Sequence, residues 1–137
     1  MPAAQRLHAP TLRLRGLLWV NVAFFFCMGA AHFTGLKWPV LFVYRDTPFY
    51  AYQDKIIAFT LITYIALFFG ASQHRVMVPY ALISIWGTVL GLAAVNVSPE
   101  LHEVLDHGTF RYWIITAAFG ALAALLSALW WQDRRAA

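Results

Sequence analysis

IIAFTLITYIALFFGASQH, residues 56–74, runs for nineteen positions without an Asp, Glu, Lys or Arg. At about 1.5 Å of rise per residue, a helix of that length nearly spans a hydrocarbon layer about 30 Å thick. Three more charge-free stretches accompany it, at 16–36, 76–99 and 112–132. The reading is an all-α integral membrane protein, a four-transmembrane-helix bundle filling residues 1–137, with spans at about 14–34, 48–73, 77–97 and 110–132. Composition agrees: the chain is 61% hydrophobic and 12% charged, against about a quarter charged in ordinary soluble domains.

A net charge of +4 and a pI near 9.6 raise the question of nucleic acid, and the placement of the charges answers it. Arg6, Arg13, Arg15, Arg75, Arg134 and Arg135 fall on one side of the four-span map, opposed only by Asp133. On the other side, Lys37, Arg45, Lys55 and Arg111 are offset by Asp46, Asp54, Glu100, Glu103 and Asp106. Such segregation is an orientation signal, not a polyanion footprint. The positive-inside rule puts both termini and the 72–77 turn in the cytoplasm, with 35–54 and 98–111 facing out. Trp19, Trp130 and Trp131 mark the inner boundary and Trp38 and Trp113 the outer one. The expected location is a bacterial cytoplasmic membrane.

The first apolar run follows arginines but is longer than a signal-peptide core, and reads as a retained anchor. Cys27 is the only cysteine, which excludes an intrachain disulfide; its expected role is that of a small buried filler. Gly29, Ala30 and Ala31 favour close approach of a second helix, and so do Gly87 with Gly91 and the Ala117, Gly120, Ala121, Ala124 surface. These predict tight packing of the third and fourth spans, or a homo-oligomer.

Between the spans lie two informative connections. In 35–54, residues 40–44 suit an extended segment, and Asp46 or Thr47 can cap a helix with Pro48 in its first turn. That helix places Tyr50, Asp54 and Ala58 on one face. In 98–113, SPELHEVLDHGTFRYW holds two of the five histidines and three of the six acids. Ser98 can cap a short amphipathic outer helix from Pro99 to His107, stopped by Gly108, with Leu101, Val104 and Leu105 opposite His102, Glu103, Asp106 and His107. Asn96 reads as a helix terminator, and Arg75 chiefly as a topology determinant.

The candidate chemistry follows from that outer cluster. His102 or His107 can serve as acid or base, oriented by Asp106 or Glu103, with Arg111 holding a developing negative charge. Ligand-binding candidates are His32, Trp38, Asp46, Tyr50, Asp54, Lys55, Tyr112 and Trp113. A divalent metal would draw on His102, Asp106 and His32, with Asp54 within the set, although no HExxH run is present. Set against these roles, His32 reads ordinarily as an interfacial histidine, and Asp54 and Lys55 as solvated charges. The leading functional reading is binding of a hydrophobic small molecule, a lipid or a partner membrane subunit. Membrane-embedded acid/base or metal-assisted chemistry on a lipid-like substrate is the alternative, and a small transporter comes third, because the span centres carry no acids or arginines. An enzyme predicts an outward-opening cavity with a histidine in hydrogen-bond reach of a carboxylate; a carrier predicts a polar passage towards Arg75.

Overall fold

In the computed structural model, residues 9–36, 47, 50–105 and 108–135 are described. Four long helices are present: α1 Leu12–Thr34, α2 Ala51–Gln73, α3 Val78–Asn96 preceded by a 3-10 turn at Arg75–Met77, and, after a short α4 at Pro99–Val104, α5 Phe110–Arg135. Each long helix, α3 together with its 3-10 turn, is long and apolar enough to cross a bilayer, and less than a third of each apolar stretch is buried inside the bundle. The chain is an integral, multi-pass membrane protein.

The helices associate chiefly as two pairs, α1 with α2 and α3 with α5. Hydrophobic burial does not drive such pairing, because lipid is as apolar as leucine; close packing and cross-helix hydrogen bonds do. In the first pair, a Cβ placed on Gly29 would lie in van der Waals contact with the Ala58 carbonyl and Leu61, so α2 does approach α1 at the small residues. The second pair is tied by Trp86 Nε1 donating to Ser127 Oγ at 3.2 Å and by Asn96 Nδ2 donating to Thr116 Oγ1 at 2.8 Å. Asn96 thus ends α3 and crosses to α5, a bond of the kind worth about 0.6 kcal/mol on average in membrane bundles. Gly87, Gly91 and Gly120, by contrast, have no neighbouring atom within 4 Å of the place a Cβ would take. The third and fourth spans do pack, but not through these glycines.

Phe25, Phe68 and Phe119 are buried at the centre, where the pairs meet. Phe25 lies 4.9 Å from Tyr64, 5.3 Å from Phe68 and 6.2 Å from Phe119, ring centre to ring centre. A plug of rings therefore closes the middle of the bundle. At the end where α1 starts and α5 finishes, Asp133 Oδ2 meets Arg75 Nε at 2.6 Å, Arg75 Nη2 donates to the Asp133 carbonyl at 2.5 Å, and the Thr11 amide donates to Asp133 Oδ1 at 2.8 Å. Arg75 also lies over the Trp130 ring. It is more than a topology determinant: it ties the 3-10 turn to the last turn of α5, while Asp133 holds the start of α1.

Three local expectations need correction. The short outer helix ends at Val104, not His107, because Leu105 turns extended (φ −106°, ψ 120°); Ser98 does cap it, accepting from the Leu101 amide at 3.3 Å. α2 begins at Ala51, with Tyr50 extended before it, later than the expected 48; Pro48 itself lies outside the described residues. Cys27 is exposed on the outer surface of the bundle and is not a buried filler, since Phe25 and Met28 take the inward positions beside it. The extended segment expected at 40–44 lies outside the described residues.

Candidate functional site

The last turn of α1 fixes His32. Gly35 adopts the left-handed conformation (φ 72°), and the amides of Leu36 and Gly35 return to the carbonyls of Ala31 and His32. This is the paired closure that lets a helix stop without orphan carbonyls, and it needs a residue free of Cβ strain. On α2, Asp54 lies in the first turn, its amide bonded to the Tyr50 carbonyl at 3.0 Å. The register set at Gly29 brings the two side chains together: His32 Nδ1 is 2.7 Å from Asp54 Oδ1. Each side chain is 12% exposed.

An ionised carboxylate only accepts, so the proton in this contact belongs to Nδ1. On a neutral ring, that leaves Nε2 as an acceptor. A carboxylate that fixes a histidine tautomer in this way also orients it, the second-partner logic found behind general bases.

The pair lies on a cavity of about 500 Å³. Tyr50, Gln53, Ile57, Thr60, Leu61 and Tyr64 line it from α2 and the residue before it; Phe25 and Met28 from α1; Thr88, Leu92 and Val95 from α3; Ile115 and Phe119 from α5; and Thr47 lies at the rim. The walls are overwhelmingly apolar. Two polar stations on them carry cross-helix hydrogen bonds, His32–Asp54 at the shallow end and Tyr64 Oη with Thr88 Oγ1, 3.2 Å apart, at the deep end. Thr60 returns its hydroxyl to the Ile56 carbonyl at 2.9 Å, as helical threonines do. Ile57, Thr60 and Val95 line the cavity and are exposed, so it is open at the surface of the bundle between α2 and α3. Its deep end stops at Phe25, Tyr64 and Phe119.

Of the residues expected to bind a ligand, the structure brings His32, Asp54 and Tyr50 to this cavity. Lys55 is outside it, exposed, with its ammonium 5.8 Å from the Phe33 ring centre. Tyr112 is buried in the helix core and Trp113 is exposed; neither lines the cavity. His102, Glu103 and Arg111 are exposed and lie away from it, and His102 Nδ1 is satisfied by the Ser98 carbonyl at 2.9 Å. Trp38, Asp46, Asp106 and His107 lie outside the described residues. Among the described residues, no three of His, Cys, Asp and Glu gather as a metal site; His32 has one acid beside it and His102 is not part of that pair.

Comparison with known proteins gives no match, whether to a family model, a curated protein or a solved structure. The fold and the site therefore rest on this chain alone. Polar contributors that the sequence reading does not assign to a site include Gln53, Thr60, Tyr64 and Thr88. A signal exists for Tyr64. Tyr50, Asp54, Ile57, Leu61 and Tyr64 recur every three or four residues, and three of these five carry polar groups in an otherwise apolar helix.

Proposed function

We propose that this protein binds a hydrophobic small molecule or lipid in the cavity between the two helix pairs, with the polar group of that molecule at His32 and Asp54. The observation that carries the reading is the 2.7 Å pair placed on the wall of an apolar cavity. Ionisable residues within spans are costly and tend to mark function, and a concave apolar site with a few convergent polar groups is the usual form of a small-molecule site. The segregation of six of the eight arginines to the opposite side of the four-span map supports an outward-facing cavity. Membrane lipids are the immediate source of ligand, since the opening faces them.

Proton abstraction from the bound molecule is a second reading, favoured by the same contact, in which Asp54 orients His32 and Nε2 takes the proton. The two readings separate on whether the molecule leaves unchanged. Both require an open cavity. Ile57 lines it and is 43% exposed, so Ile57→Trp has room for its larger ring and blocks the space near the pair. Mass spectrometry of the protein purified from membranes should find a stoichiometric small-molecule adduct in the wild type and a loss of most of it in Ile57→Trp. Equal retention by the two proteins would overturn the reading.

A further inference from the structure

The ends of the cavity narrow the ligand class. Its lining on α2 runs from Gln53 to Tyr64, about 17 Å at about 1.5 Å per residue. The deep end is closed by Tyr64, hydrogen-bonded to Thr88 and packed on Phe25. At the shallow end, the hydrogen-bonded pair leaves Nε2 of His32 with no bond to any described residue, ready to accept from a hydroxyl.

We infer that the site takes an amphiphile from the bilayer, its head a hydroxyl or phenol that donates to His32, and that Tyr64 sets the longest chain admitted. This rests on the proposed binding role and adds to it a ligand class and a residue that determines specificity. The ten-residue step from Asp54 to Tyr64 measures about 15 Å along the helix, the depth available to the chain. Because bilayer and cavity are equally apolar, a longer chain gains little on transfer. Length discrimination must then take the form of a cut-off, where the chain end meets the Tyr64 ring and overpacking begins.

The test is equilibrium binding of a series of 4-alkylphenols to the protein in phospholipid nanodiscs, expressed as mole fraction in the bilayer so that partitioning does not mimic affinity. Chains shorter than the depth should bind similarly. The first chain longer than the depth should lose at least about fivefold. In Tyr64→Ala the cut-off should move out by about one helical turn, about 5 Å. Tyr64→Phe keeps the ring and should keep the cut-off, which guards against a variant that merely loosens the bundle. The alkylbenzenes, lacking the hydroxyl, should bind more weakly at every length. Affinity independent of length, or a cut-off unmoved in Tyr64→Ala, would overturn the role of Tyr64 while leaving the binding role standing. No binding of any phenol, with the purified protein still carrying its own adduct, would overturn the head-group assignment. No binding together with no adduct would remove both.

Discussion

Asp54→Asn is expected to reverse the preference of the site rather than merely weaken it. In the wild type an ionised Asp54 accepts from Nδ1 of His32 across 2.7 Å, which on a neutral ring leaves Nε2 an acceptor for a ligand hydroxyl. A carboxamide that turns its N–H to Nδ1 drives the ring proton to Nε2, which becomes a donor. A phenol should lose at least about tenfold in affinity, the scale of one hydrogen bond to a charged or oriented group. An alkyl aryl ketone of the same length, which can only accept, should gain relative to the phenol. His32→Ala should weaken phenols by a similar factor without creating a preference for ketones. Binding titrations of the two ligands against the three proteins check this directly. A parallel loss of both ligands in Asp54→Asn would mean that the acid supplies charge or structure and does not set the tautomer.

The second large effect lies at the opposite end of the bundle and concerns stability. Asp133 is 3% exposed and Arg75 20%, so neither partner is well placed to regain water if the other is removed. Arg75→Ala leaves a buried carboxylate with the Thr11 amide and without its arginine, which should cost about 3 to 5 kcal/mol. Asp133→Ala additionally frees the start of α1 and should cost a similar amount. Replacing both with apolar residues of like volume, Arg75→Met with Asp133→Leu, should recover most of the loss, since the attraction mainly offsets the desolvation it requires. Reversible unfolding in mixed micelles measures all four proteins. A loss under about 1 kcal/mol in both single variants, the range of an exposed pair, would show the contact to be incidental.

These two sites are not equally legible in the sequence. The four spans are plain because each is a charge-free run of membrane length, and lipid tolerates few other structures at that depth. Asp133 is visible as the lone acid among six arginines, though its partnership with Arg75 depends on where α5 ends beside the 3-10 turn. His32 and Asp54 are both candidates by residue type, yet twenty-two residues and a connection separate them, and their meeting is decided by how α2 seats on Gly29. Residues 98–113 draw attention by their density of ionisable groups. Of these, His102 and Glu103 are exposed and do not line the cavity that His32 and Asp54 share. Tyr64 and Thr88 cannot be paired from sequence, because a hydroxyl in a membrane helix usually returns to its own backbone, as Thr60 does.

The most direct test of the binding cavity is to locate the far end of a bound chain. A 4-alkylphenol of fitting length with a diazirine at its terminal carbon, photolysed in nanodiscs and mapped by peptide mass spectrometry, should label Phe25, Tyr64 or Phe119, and labelling should fall in Ile57→Trp. Labelling confined to outward residues such as Ile83, Leu90 or Phe69, unchanged by Ile57→Trp, would mean that the molecule lies against the helices as ordinary lipid does and that the cavity is not its site.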